Sequence, residues 1–400
     1  MIRHLRSHCR RVLTFVFTSL ALSLLPPAAW AKSIIPEAAT NVAASAVIHK
    51  AALELHTPLY SVTDKTQLPA SGNPHDYFSF APYWWPDPDC PEGLPYERRD
   101  GEYNQATRGD ATDKQRLIDF TDTVNTLSWR YRLTDDSEYA QRAVTQLRHW
   151  FITSETRMAP NLLYAQAIPG RIDGRGIGLI ESRLLIELAQ SIRRLEPAPA
   201  MTVETLQGLK QWYSDYLDWM LTSKNGQDEH AKRNNHGTWY DAQIVAFARF
   251  VDRQALAGRQ LHSASHRIAT QIAEGGAQPL ELARTRPWHY VNFNLEAWST
   301  LLEESSTLGL RWPDSDADRE RLAAAYRWIA ERAANPHAWP YRELHGFHPA
   351  IALPNLVMAQ RHHLLDDDHR AGVLVNKWTR TEDLVSKPTS LLSLTMPDPQ

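Results

Sequence analysis

Between residue 113 and residue 334 the chain reads as one helix after another, and this limits its possible folds more than any motif does. Apolar residues recur at helical spacing over about 114–133, 136–152, 176–195, 203–222, 238–253, 258–274, 292–309 and 316–334. Breaks fall between them at Pro169-Gly170, Pro197, Gly275-Gly276, Pro313 and Pro336, residues that end helices. Asp135 or Asp136 is placed to cap the second segment. Successive helix pairs with short connections predict an all-α fold, an α/α toroid of antiparallel helix pairs. An irregular bundle or solenoid is the alternative, because the self-similarity is too weak to define a repeat. No alternating strand pattern stands out before residue 335, and the last 60 or so residues have a mixed pattern that assigns no element.

Ahead of the helical train lie two other regions. Residues 37–55 are alanine-rich with helical periodicity, and residues 57–112 are dense in Pro, Gly, Asp and Tyr. Pro69, Pro74, Pro82, Pro86, Pro88, Pro91 and Pro95 forbid a long helix there. A loop of this length is functional or disordered, and its aromatic content argues for order.

The first residues read as an export signal. Arg3, Arg6, Arg10 and Arg11 precede an apolar run, 12–25, too short to span a bilayer comfortably, and Ala29-Trp30-Ala31 is a small-x-small cleavage site. Cleavage near Ala31 predicts a periplasmic or secreted chain with no membrane contact thereafter. It removes four of the 43 Lys+Arg and none of the 46 Asp+Glu, leaving a net charge of −7. Such an acidic chain is unsuited to nucleic acid, and a polyanionic ligand would need a local basic cleft. Cys9 leaves with the signal, so Cys90 has no partner for a disulfide or a cysteine metal site.

Three polar clusters stand out. In 233–241, Arg-Asn-Asn-His-Gly-Thr-Trp-Tyr-Asp, the amides of Asn234 and Asn235 can hold a carboxylate and His236 can move a proton. Tyr240 lies four residues on, hence on the same helical face. A plainer reading makes His236 a helix cap. In 284–290, Arg-Thr-Arg-Pro-Trp-His-Tyr, the candidates are Arg284, Arg286, His289 and Tyr290; the plainer reading is a basic helix C-terminus. In 76–88, Tyr77, Tyr83, Trp84 and Trp85 are either platforms for sugar rings or a hydrophobic plug. Gly174-Arg175-Gly176-Ile177-Gly178 follows no strand and lacks the Lys-Ser/Thr of a phosphate loop. It more simply lets a helix begin close to its neighbour. His345 and His348, three apart with no evident third ligand, are weak grounds for a metal. No Gly-x-Ser-x-Gly elbow is present.

Taken in order, these segments resemble the alginate-lyase superfamily of polysaccharide lyases. The likeness rests on Asn-Asn-His-Gly-Thr-Trp-Tyr-Asp at 234–241, Glu-Leu-Ala-Arg-Thr-Arg-Pro-Trp-His-Tyr at 281–290, and the aromatic segment. Gly-Leu-Pro-Tyr-Glu-Arg-Arg-Asp-Gly at 93–101, which contains Arg98, adds to it. The resemblance covers roughly residues 60–340 and implies an incomplete α/α toroid. It also implies catalytic roles for Asn235, His236, Arg284 and Tyr290, and substrate contacts from the other candidates. Arg284 and Tyr290 are six apart, one fewer than in the best-known bacterial alginate lyases, which puts strict alginate specificity in question.

The implied reaction suits these side chains. β-Elimination in a 4-linked uronate removes the C5 proton through an enolate of the carboxylate and expels O4. Arg284 and the Asn235 amide can stabilise that charge. His236 or Tyr290 can take the proton, and Tyr290 can protonate O4. For Tyr290 to act as a base its phenol must be lowered, with Arg284 the candidate cause. No metal or cofactor is required. The expected function is an exported lyase acting on an anionic polysaccharide, alginate or polymannuronate first and glucuronan second. A glycoside hydrolase, using carboxylates among Glu181, Glu281 and Asp241, or a non-catalytic binding protein are the alternatives.

Overall fold

The computed structural model describes residues 35–366, 368–379 and 388–396. The proposed export signal therefore lies outside the described residues. Helix α1 (Glu37–Glu54) is followed by the long aromatic segment and then by α2 (Lys114–Thr134), α3 (Ser137–Phe151), α4 (Leu184–Leu195), α5 (Val203–Thr222), α6 (Lys224–His230), α7 (Asn235–Phe250) and α8 (Gln254–Gln271). After these come the single turn α9 (Pro279–Leu282), then α10 (Pro287–Thr307), α11 (Asp316–Ala334), α12 (Leu353–Arg361), α13 (His369–Trp378) and α14 (Pro388–Thr395). Together they build an incomplete α/α toroid. The inner row runs α2 to α4 to α7 to α10 to α12 by direct packing, while α3 packs on α5, α8 on α11 and α11 on α13. Asp136, not Asp135, caps α3, its carboxylate accepting from the Glu138 N–H.

The inner position of α7 explains its composition. Nearly every residue from Asn235 to Phe250 is buried, polar Thr238, Asp241 and Gln243 included. A helix buried on all sides needs a partner for each polar group. Asp241 finds Arg267 and Gln260, Gln243 bonds Ser182, and Thr238 donates to Gln271 at 2.9 Å.

Two small sheets escape the sequence reading. Strand β1 (Phe78–Phe80) pairs in parallel with β4 (Tyr164–Ala167), and β2 (Trp84–Trp85) pairs antiparallel with β3 (Glu97–Arg98). They are too short to show alternation, yet they pin the aromatic segment across the toroid. Gly174 and Gly178 let the chain pass close to the β4 segment, and Gly176 lets it pass close to α6. A Cβ at Gly174 would lie 2.0 Å from the Leu163 carbonyl, and one at Gly178 2.6 Å from the Ala165 Cβ. The close-approach reading of this motif is the right one.

Among the described C-terminal residues, unassigned from sequence, α12, α13 and α14 form and pack on the ring. α12 lies against α10, and α14 against α1. The stretch before α12 reaches the end of the toroid where Arg284 lies. Leu344 N–H donates to the Thr285 carbonyl at 3.1 Å, and Glu343 accepts from the Trp288 N–H at 2.6 Å.

Candidate active site

Helices α7 and α10 begin earlier than their apolar periodicity predicts, at Asn235 and Pro287 where sequence placed them near 238 and 292. The first N–H groups of a helix need acceptors. Here they come from distant carboxylates: the Asn235 N–H donates to Glu281 at 2.6 Å, and that of Trp288 to Glu343. His236 and Tyr290 consequently sit in the opening turns of two adjoining inner helices.

Glu281, buried, joins the two clusters. It also accepts from Asn235 Nδ2 at 2.7 Å, and its charge acts on both Arg284 and His236. Burial raises its carboxyl above the ordinary value, the two Asn235 bonds opposing. Imidazole Nδ1 of His236 lies 2.7 Å from Oε1 of the fully buried Glu229. In the neutral imidazole, with the carboxylate accepting, Nδ1 carries the proton and Nε2 the lone pair.

On the α10 side, Arg284 donates to Asp100 through Nη2 at 3.0 Å and Nε at 3.3 Å, and through Nη2 to the Tyr290 hydroxyl at 2.9 Å. Its guanidinium carbon is 3.8 Å from the Tyr290 ring centroid. The Tyr83 hydroxyl lies 2.9 Å from that of Tyr290. Either hydroxyl can be the donor in that pair. Burial would raise the Asp100 carboxyl, but the Arg284 and Arg98 guanidiniums hold it below its usual value. Gly101 next to it has φ +80°, and a Cβ there would stand 2.3 Å from Thr285 Oγ1, so this turn needs glycine.

The phenol of Tyr290 departs from expectation. Burial, with Tyr83 adding to it, pushes its pKa above the ordinary tyrosine value, and Arg284 offsets only part of this. In the free site Tyr290 is therefore a protonated acid, not a phenolate base.

Two candidates leave the site altogether. Tyr77 is wholly buried and its hydroxyl donates to Glu181 at 2.8 Å; it anchors β1 and faces no cleft. Tyr240 does lie one turn beyond His236, but it is buried and donates to the Met220 carbonyl at 3.2 Å. Arg98 is exposed and paired with Asp100 at 2.7 Å, so it buttresses the Arg284 partner. Arg286 is the residue before α10, and its charge acts on Glu343. His289 packs edge-on to Tyr290 and stacks on Phe293 at 5.8 Å. His345 and His348 contact main-chain oxygens, and among the described residues no group of three or more His, Cys, Asp or Glu could hold a metal ion. The sequence reading gave no role to Glu229 or Asp100. Glu229 lies seven residues before His236 across a helix break, a separation with no pattern to flag it.

Trp84 and Trp85 are half-buried, with Arg171 over the first ring and Arg99 over the second, each at 5.4 Å. Partly exposed rings suit contact with a ligand better than a core. Trp84→Ala and Trp85→Ala should raise KM while the melting temperature holds. A stability loss of about 3–5 kcal/mol in both, read by thermal melts, would make them core residues instead.

The comparisons bear on the family and the fold. The family described as alginate lyase matches residues 61–339. A solved alginate lyase from Bacteroides ovatus is 31% identical and superposes with a TM-score of 0.81, covering 91% of this chain and 98% of its own. Alginate lyase A1-III from Sphingomonas species A1, at 14% identity and TM-score 0.51, covers 83% of this chain and 90% of its own and shares the fold. A variant of alginate lyase A1-III solved with a tetrasaccharide has 15% identity and TM-score 0.51, covering 93% and 98%. No curated protein sequence matches. The match over most of the chain, with the toroid and the paired helix starts at Asn235 and Pro287, shows that this chain belongs to the alginate lyase family.

Proposed function

We propose that this polysaccharide lyase cleaves a 4-linked polyuronate, alginate or polymannuronate first and glucuronan second, leaving an unsaturated uronate end. The observation that carries the reading is the Arg284–Tyr290 pair. A guanidinium bonded to a protonated phenol offers a carboxylate clamp and an acid for O4 in one unit. His236, with Nε2 free, supplies a base opposite, and Asn235 lends its remaining amide N–H to the carboxylate. In the family relative from Bacteroides ovatus the substrate named is alginate, and the same class is the first to test here. Export, with the mature chain starting near Lys32, belongs to this proposal; the mass of the chain recovered outside the cytoplasm tests it.

The hydrolase alternative fares badly on this geometry. Glu181 is bonded to Lys114, Tyr77 and Ser79, Asp241 to Arg267 and Gln260, and Glu281 to Asn235. All three are buried, so no pair drawn from them faces across a cleft with room for water and sugar. Incubation with polymannuronate, polyguluronate, glucuronan and pectate, read by the ultraviolet absorbance of an unsaturated end, decides. New reducing ends without that absorbance would return the hydrolase, and binding without either would leave a binding protein.

The Glu229 contact yields a sharper test of the base. Glu229→Gln keeps the volume but removes the charge that fixes the Nδ1 proton. It should lower kcat about tenfold or more and shift the acid limb of the pH profile, with KM little changed. An unaltered pH profile would mean that the His236 tautomer does not matter to turnover.

A further inference from the structure

Arg183 is not explained by the Arg284 site. It ends the 3₁₀ stretch Gly176–Arg183 ahead of α4, and its guanidinium carbon lies 5.2 Å from the Phe293 ring centroid and 6.0 Å from that of Trp239. One N–H donates to the Ile180 main-chain carbonyl at 3.1 Å; among the described residues no carboxylate hydrogen-bonds it. Burial drives its pKa below the ordinary arginine value, with Glu296 and Glu181 offsetting only part. Glu296 is exposed on α10, and Glu181 is already bonded to Lys114 at 2.7 Å. Arg108 and Lys114 press on Arg183 as like charges. Arg108 itself has neutral partners, the Tyr103 hydroxyl at 2.6 Å and Gln115 at 3.0 Å. In the same stack the indole N–H of Trp239 is buried without a partner.

A partly buried cation with no carboxylate hydrogen-bonded to it among the described residues, close to an unmet donor, is costly to fold. Such an arrangement fits a site that an anion completes. Its place is telling. Phe293 lies beneath His289, which adjoins Tyr290. From the other side Arg108 leads through Tyr103, whose ring is 6.3 Å from that of Tyr83, to the Tyr83–Tyr290 hydroxyl pair.

We propose that Arg183, with Arg108 beside it, forms a second carboxylate-binding site that holds a neighbouring uronate while another meets Arg284. This rests on the polyuronate reading and adds to it that the enzyme recognises acidic sugars in succession, so that a chain of isolated uronates among neutral sugars is a poor ligand.

Binding is best read apart from turnover, by calorimetric titration of a mannuronate tetramer into Tyr290→Phe protein. Adding Arg183→Gln should weaken binding about tenfold or more, the usual loss for a hydrogen bond to a charged group, and should flatten its salt dependence. Arg108→Gln should act in the same direction. A carboxyl-reduced tetramer should bind weakly and equally with or without Arg183. The melting temperature of Arg183→Gln should hold or rise, because an uncompensated charge is removed. Unchanged tetramer affinity in both variants overturns the second site. So does a loss of affinity that comes only with a loss of melting temperature, which would make Arg183 structural. If neither mannuronate, guluronate nor glucuronate tetramers bind and wild-type protein yields no unsaturated ends, the polyuronate reading itself fails.

Discussion

Arg284→Ala is expected to lower kcat/KM by several hundredfold, which corresponds to about 3–4 kcal/mol of transition-state stabilisation. Three functions leave with the side chain. It stops pairing with Asp100, it no longer donates to the Tyr290 hydroxyl, and it cannot meet the substrate carboxylate. Its departure also strands Asp100, whose low pKa depends on it. Arg284→Lys should recover little. An ammonium is a point charge and cannot hold the two-pronged contact to Asp100 while also reaching the phenol. Steady-state kinetics on the best polyuronate measures the loss. Near-normal turnover in Arg284→Ala would shift the clamp to Arg286, the other arginine ahead of α10.

Helices were legible in the sequence because their apolar periodicity is local. Their starts were not, where the site is built. The residues Asn234-Asn235-His236-Gly237 and Pro287-Trp288-His289-Tyr290 look like loops because they are polar or bulky. From Asn235 and from Pro287 on they are helical because Glu281 and Glu343, far away in sequence, accept the first N–H groups. Capping by tertiary contact leaves no short-range signal. The aromatic segment failed differently. With no period in 76–88, nothing said that Tyr77 turns inward to Glu181, 104 positions on, while Tyr83 turns to Tyr290. Tyr240 shows the limit of helical spacing as evidence. It occupies the expected face of α7, yet that helix is buried on nearly every side, and its phenol goes to the Met220 carbonyl.

The same contrast between local pattern and distant partner governs proton transfer. Tyr290→Phe removes one oxygen and leaves a ring that still packs under Arg284, so the fold should survive and the melting temperature should hold. If Tyr290 delivers the proton to O4, the variant should be nearly inactive on every uronate, because all share that leaving oxygen. The raised pKa of the phenol favours this role, since the proton is present at neutral pH. His236 should behave differently. On the proposed mechanism its Nε2 is the base, with Nδ1 turned to Glu229. His236→Ala should abolish action on substrates whose H5 and O4 lie on opposite faces of the sugar. Where both lie on one face, a residue of activity should remain, because Tyr290 can take one proton before giving another. That second route requires the phenol to ionise against burial, with the Arg284 N–H donating to it. It should therefore be slow and should gain as pH rises. Equal loss on both classes of substrate would assign His236 to holding the carboxylate beside Asn235. Full activity of Tyr290→Phe would sink the acid role, and Tyr83, whose hydroxyl is 2.9 Å away, would be the phenol to test next.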